Sequence, residues 1–330
     1  MLVILPGLGV VWRSAMVVLG IAAVVPAGAG DMRSHANPTK DYDAAVARAK
    51  GVIAADSAVA APGGESILLV HGAKTARAVV LLHGFTDSPR QFAALADSLY
   101  ARGDNVFVPR LPHHAERGRD ARQLAHLSAA DLCRTGDAAV DIAAGLGDSV
   151  IVAGLSVGGT LAAWTAEHRP EVRRALVIAP PFEVSHVPSM LEKPLVNLSS
   201  HVPNVTRRAT PDTARPDRDP GYTTHALAQV LKLGMAVRRD APRDVPWRAE
   251  VLFLVNADDG TVKTPAVLDL ARVWNDRGVA VSVYEFPDSL GLPHNILDPM
   301  WRRSDAAAVY PTLEALAHGQ NPPAWLRARR

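Results

Sequence analysis

Apolar residues gather in short unbroken runs at 66–70, 78–82, 105–108, 149–153, 175–179, 251–255 and 279–286. A strand with one wet face alternates apolar and polar residues, whereas a run apolar at every position suits a strand covered on both faces of a parallel sheet. Helix-length segments at 89–102, 128–145, 157–168, 265–277 and 302–318 fall between the runs. They are the crossovers that parallel neighbours require. An Ala-rich segment at 42–55 adds an N-terminal helix. The pattern predicts an α/β fold with one doubly wound, mostly parallel sheet.

One stretch breaks the alternation. Between Pro181 and Pro246 no strand-like run occurs, and prolines recur at 188, 194, 203, 211, 216, 220 and 242 around a single helical segment, 223–237. A long irregular insertion in a compact domain is usually a lid or binding loop. It is read as a cap, residues 183–246, set between the fifth and sixth runs. The core then comprises 66–182 and 247–330, preceded by a helical extension at 31–65 and a distinct segment at 1–30. No internal repeat or low-complexity tract is visible beyond the proline enrichment.

Composition narrows the partners. The 330 residues are 48% hydrophobic and 21% charged, which excludes a disordered or collagen-like chain. Lys and Arg number 35 against 33 Asp and Glu, a formal net charge of +2, and only 5% of residues are aromatic. That balance supplies neither a phosphate-tracking surface nor base-stacking platforms, so no nucleic-acid partner is expected. The single cysteine, Cys133, allows no intrachain disulfide and no multi-cysteine metal cage.

The N-terminal segment reads as a targeting signal. Apart from Arg13 it carries no charge before Asp31, and the apolar run 15–25 ends in Pro26-Ala27-Gly28-Ala29, where Ala27-x-Ala29 has the form of a signal-peptidase site. Export to a periplasm or the medium is the leading expectation. The first apolar stretch, 2–12, is unlike a basic n-region, and the two stretches together could span a bilayer as an uncleaved anchor. Such an anchor is the only membrane contact expected. Met16 as the true start, which would make residues 1–15 an artefact of start-codon choice, is a third alternative, and a cytoplasmic protein is expected if the segment is not a signal.

Candidate chemistry begins at Gly154-Leu155-Ser156-Val157-Gly158, which joins the run 149–153 to the helical segment 157–168. This is a G-x-S-x-G nucleophile elbow in its strand-to-helix setting. The nucleophile must stand on a sharp turn at the sheet edge, and Gly154 and Gly158 let neighbouring backbone approach it. The run 78–82 leads into His83-Gly84-Phe85. Acyl transfer needs two N–H donors for the oxyanion, one from the residue after the nucleophile, Val157, and a second that Phe85 can supply. The His83 side chain is expected to brace that loop, with Thr86, Asp87 and Ser88 as turn and cap before Pro89. An acid belongs just past a late strand, where Asp258 and Asp259 compete, with Asp288 and Asp298 next in line. The base is His294, after the last run, since a near-neutral imidazole can take the serine proton and return it to a leaving group.

The order Ser156, acid, His294 and the motifs His-Gly-Phe-Thr-Asp-Ser-Pro and Gly-Leu-Ser-Val-Gly-Gly resemble the α/β-hydrolase superfamily, in its carboxylesterase and monoacylglycerol-lipase branch. The likeness covers residues 66–318. It implies a sheet of the α/β-hydrolase type with an inserted cap, and it selects Asp259, because Asn256-x-x-Asp259-x-x-Val262 is similar to the common G-x-x-D-x-x-V turn. It also implies hydrolysis of carboxylic esters with no cofactor and no metal. A branch pattern L-P-G-H-G stands here as Leu111-Pro112-His113-His114-Ala115, without its glycines.

The expected function is therefore a serine ester hydrolase acting on a small-molecule ester, with acyl chains or lipids among the substrates. Thioesterase, lactonase, peptidase and perhydrolase activities use the same parts. A noncatalytic binding module of the same fold is the reading from another class.

Overall fold

The computed structural model describes residues 32–185, 188–199, 202–208, 215, 217–246, 248–297 and 306–329. The N-terminal apolar segment and Asp298 lie outside them. The chain runs through α1 (Tyr42–Val59), β1 (Ile67–Leu69), β2 (Thr75–Leu82), a 3₁₀ turn (Pro89–Phe92), α2 (Ala93–Ala101), β3 (Asn105–Val108), α3 (Ala129–Leu146) and β4 (Gly147–Leu155). It continues through α4 (Val157–His168), β5 (Val172–Ile178), α5 (Ser189–Ser199), β6 (Thr206–Arg208), β7 (Gly221–Thr223) and α6 (Thr224–Asp240). It closes with β8 (Glu250–Asn256), α7 (Thr264–Asp276), β9 (Val281–Phe286), α8 (Ala306–Ala317) and β10 (Arg327–Arg329).

Eight strands form one sheet in the order β1-β3-β2-β4-β5-β8-β9-β10. The inner pairs are parallel, and the outermost strands, β1 on β3 and β10 on β9, run antiparallel. The unbroken apolar runs follow from two covered faces. On β4, Val150 and Val152 join one core while Ile151, Ala153 and Leu155 join the other, and on β8 Phe253 and Leu254 divide the same way. The first core takes α1, α3, α4, α6 and α7; the second takes α2 and α8. This is the doubly wound, mostly parallel sheet expected from the runs.

The helices start where their polar caps allow. Asp41, Ser128 and Thr223 each accept a backbone N–H of the following first turn, at Ala44, Asp131 and Ala226. The N-terminal extension is bound to the core by buried charge. Arg169, whose side chain is fully buried, bonds Asp137 at 3.0 Å and Asp141 at 2.5 Å, while those carboxylates also accept from the backbone of His35 and Asn37.

The insertion departs from its expected form. It was expected to hold one helix and no strand; it holds α5, α6 and the two-stranded ladder β6–β7. α5 carries Pro194 in its interior, which reads as a helix breaker, and β6 and β7 are only three residues each, too short to show a period. α5 lies at the surface, with Met190 and Leu195 exposed. The stretch 183–246 also divides in two. Ala226, Val230, Leu233 and Val237 of α6 belong to the main core, which makes α6 the crossover helix between neighbouring strands β5 and β8. Strand β10 was not anticipated either, since Arg327-Ala328-Arg329 is exposed throughout and is held by its pairing with β9. Among the described residues no helix is long and apolar enough to cross a membrane.

Candidate active site

The ends of four neighbouring strands define the site. Leu155, Ile178 and Leu254 stand in register across β4, β5 and β8, and Asn256 pairs with Phe286 on β9, so the residues that follow meet at one edge. Ser156 follows Leu155 with φ 57° and ψ −119°, a conformation that costs a non-glycine residue on the order of 1–3 kcal/mol. Two bonds hold it there. Its N–H donates to the Ile178 carbonyl at 2.9 Å, and its own carbonyl accepts from Thr160 N–H at 2.9 Å in the first turn of α4. The glycines of the motif are a steric necessity: a Cβ on Gly154 would lie 2.1 Å from the Gly158 oxygen, and one on Gly158 would lie 1.9 Å from the Leu82 oxygen of β2. The elbow is thus pressed against the end of β2, beside the loop that leaves it.

That loop is held by His83. Its Nε2 accepts the Leu111 N–H at 2.9 Å, so the ring is neutral with its proton on Nδ1, which donates to the Gly84 carbonyl at 2.9 Å. Burial, and then the neighbouring His114, hold its pKa well below the usual range. The Gly84 carbonyl also accepts from Asp87 N–H at 3.2 Å, closing a turn in which Thr86 sits at φ 65°. Phe85 occupies the apex, its ring 5.4 Å from that of Tyr222 and 5.8 Å from His114.

On the opposite side Asp259 and His294 meet. Nδ1 of His294 lies 2.7 Å from Oδ2 of Asp259, whose side chain is buried, while Asp258 is exposed. The other oxygen, Oδ1, accepts from Thr261 N–H at 2.8 Å. Asn256 joins the two loops. Its amide donates to the carbonyls of Leu292 at 2.7 Å and Pro293 at 3.2 Å, and its Oδ1 accepts from Asp258 N–H. In sequence the residue stood out only as an asparagine where glycine is usual.

The wall 111–115 explains how the missing glycines are accommodated. His113 and Ala115, at the two positions where the L-P-G-H-G pattern carries glycine, both have positive φ, 62° and 55°. The loop keeps the glycine-like path without the glycines. The insertion supports it: Asp219 accepts the Ala115 N–H at 3.2 Å and donates its own N–H to the Thr86 carbonyl at 3.0 Å.

Sequence reading missed a buried charge cluster behind the Phe85 loop. Arg215 bonds Asp87 at 2.7 Å and Asp217 at 2.8 Å, with all three side chains buried, and Asp217 accepts from Ser88 Oγ. Burial pushes the Asp87 carboxyl up, against the pull of Arg215 and Arg218. A pairing across 128 residues leaves no signature in a single sequence. Among the described residues no group of His, Cys, Asp and Glu side chains is arranged to hold a metal ion.

Comparison with known proteins gives the chain a family. Residues 73–285 match the family described as serine aminopeptidase, S33. Over 100 residues the chain is 31% identical to a thermostable monoacylglycerol lipase of Bacillus sp. (strain H-257), a match covering 28% of this chain and 36% of that one. The fold is similar to that reported for LipS and LipT, two metagenome-derived lipolytic enzymes, with a TM-score of 0.61, 19% identity, and 79% of this chain and 100% of that one covered. The monoacylglycerol lipase of Paleococcus ferrophilus gives a TM-score of 0.60 at 18% identity, over 78% of this chain and 98% of that one. With well over half of its length matched, the chain belongs to the family described as serine aminopeptidase, S33, and it has the α/β-hydrolase fold.

Proposed function

We propose that this protein is a serine hydrolase of carboxylic esters, with Ser156 as nucleophile, His294 as general base and acid, and Asp259 as the group that orients the imidazole. The observation that carries this reading is the 2.7 Å bond from His294 to Asp259 at the sheet edge where Ser156 stands on its strained turn. An imidazole whose Nδ1–H is held by a buried carboxylate presents Nε2 as the free base. Nε2 takes the Ser156 proton as Oγ attacks the acyl carbonyl. The carbonyl electrons move to oxygen, which the Phe85 and Val157 N–H groups stabilise. Collapse expels the alcohol with the proton from His294 and leaves an acyl-enzyme, which water opens by the same steps.

The relatives named as monoacylglycerol lipases support acyl esters of glycerol as the substrate class. The test is a chain-length series of p-nitrophenyl esters and monoacylglycerols, with an aminoacyl p-nitroanilide as the amide arm and fluorophosphonate labelling of the serine. Ester turnover, labelling at Ser156, and loss of roughly 10⁴-fold or more in Ser156→Ala are expected. Equal turnover by wild type and Ser156→Ala overturns the assignment. Export with cleavage after Ala29 is proposed from the Ala27-x-Ala29 pattern, and intact-mass spectrometry of the secreted chain reads it directly.

A further inference from the structure

The loop that carries Phe85 and the loop that carries His294 come from opposite ends of the fold, yet they share one buried amide. Gln91, in the 3₁₀ turn after β2, is 2% exposed. Its Oε1 accepts the Gly84 N–H at 2.7 Å. Its Nε2 donates to Asp87 Oδ2 at 3.2 Å and to Asn295 Oδ1 at 3.0 Å. Asn295 closes the figure by donating to the same Asp87 oxygen at 3.4 Å. Each corner uses chemistry that a hydrocarbon of equal size lacks. The amide also has a single workable orientation, because exchanging its O and N would aim a donor at Gly84 N–H and an acceptor at the Asp87 carboxylate.

The consequence falls on two peptide planes. The bond from Gly84 N–H to Gln91 fixes the plane before Gly84, while His83 Nδ1–H and Asp87 N–H fix the carbonyl of the plane after it. In a planar trans peptide the N–H points opposite to the C=O, so pinning the Gly84 carbonyl aims the Phe85 N–H. Asn295, the third corner, directly follows His294 in the chain. We propose that Gln91 is a positioning residue that holds the Phe85 N–H and the His294 loop in one fixed geometry through its triangle with Asp87 and Asn295. This rests on the ester-hydrolase reading and goes beyond it, since Gln91 touches no reacting atom. Its effect lies in the transition state: a donor aimed at a developing oxyanion is sensitive to displacement in a way that ground-state binding is not.

The test compares wild type, Gln91→Met, Asn295→Ala and the double variant, with kcat expressed per serine titrated by fluorophosphonate. Methionine preserves the unbranched shape while removing the amide. An alkyl trifluoromethyl ketone, which forms a tetrahedral oxyanion on an active serine, measures transition-state complementarity separately from substrate binding. Gln91→Met should lose on the order of 10²-fold in kcat, as misplacement of catalytic geometry typically costs, with KM within about twofold. Affinity for the ketone should weaken by a similar factor, and the double variant should be little worse than either single one, because a triangle broken at one corner is already broken. A merely structural glutamine would lower the melting temperature and leave kcat per titrated serine and ketone affinity near wild type; that result, or multiplicative losses in the double variant, overturns the proposal. A wild-type protein that neither turns over esters nor binds the ketone overturns both this inference and the function beneath it.

Discussion

Oδ2 of Asp259 lies 2.7 Å from Nδ1 of His294, while Oδ1 of the same carboxylate accepts the Thr261 N–H at 2.8 Å. The carboxylate is thus held by its own loop on one side and meets the imidazole on the other. Asp259→Asn keeps the shape but offers a donor where His294 needs an acceptor. The variant should lose roughly 10⁴-fold in kcat, as an orienting aspartate does in a serine triad, whereas Asp258→Asn should stay within about threefold of wild type. Steady-state kinetics on a p-nitrophenyl ester separates the two, and the reverse order would reassign the acid.

Asn256 binds the Asp259 loop to the His294 loop through the carbonyls of Leu292 and Pro293. Asn256→Ala leaves those carbonyls without their donor, at about 1–3 kcal/mol, and loosens His294. A lower melting temperature together with about a tenfold fall in kcat is expected. Asn256→Asp should be worse than Asn256→Ala at neutral pH, since a carboxylate would face two carbonyl oxygens. An alanine variant that matches wild type in both measurements would remove this linking role.

Burial, reinforced by the like charges of Asp87 and Glu116, pushes the Asp219 carboxyl up to about 7, against the pull of the Ala115 N–H. An unfolded aspartate titrates near 3.9, so between roughly pH 4 and 7 the folded chain holds a proton that the unfolded chain has lost. The stability linked to this group is complete below about pH 4 and is lost as pH rises through 7. Asp219→Asn removes the titration while keeping an acceptor. Its melting temperature should exceed that of wild type at pH 8, with the gap closing toward pH 4; a gap independent of pH contradicts the assignment.

The positive φ of Ala115 makes it an unusual site for glycine. In a helix interior such as Ala143 of α3, Ala→Gly costs about 1 kcal/mol. At Ala115 the left-handed backbone strain of roughly 1–2 kcal/mol is relieved, which offsets the greater entropy of the unfolded glycine chain. Chemical denaturation should find Ala115→Gly at least as stable as wild type and Ala143→Gly less stable. A loss at Ala115 as large as at Ala143 would mean that the loop carries no such strain.

Local order was legible along the chain because it is written in neighbouring residues. The unbroken apolar runs identify strands covered on both faces, and Val157–His168 begins as read because Gly154 and Gly158, lacking Cβ atoms, let the strand turn sharply into the helix. Three relationships needed the tertiary structure. The choice between Asp258 and Asp259 depends on which carboxylate faces a histidine 35 residues away, a direction that the resemblance suggested and that only the loop's path shows. The β6–β7 ladder and β10, at three residues a strand, are too short to show a period and exist because neighbouring strands supply their partners, while Pro194 masks the helical spacing of α5. The contacts of Gln91 with Asn295 and of Asp87 with Arg215 join residues 204 and 128 positions apart. Hydrogen-bonding side chains carry no mark of their partners in the sequence; the strand order of the sheet brings the two loops to one edge, and burial then requires their polar groups to find each other.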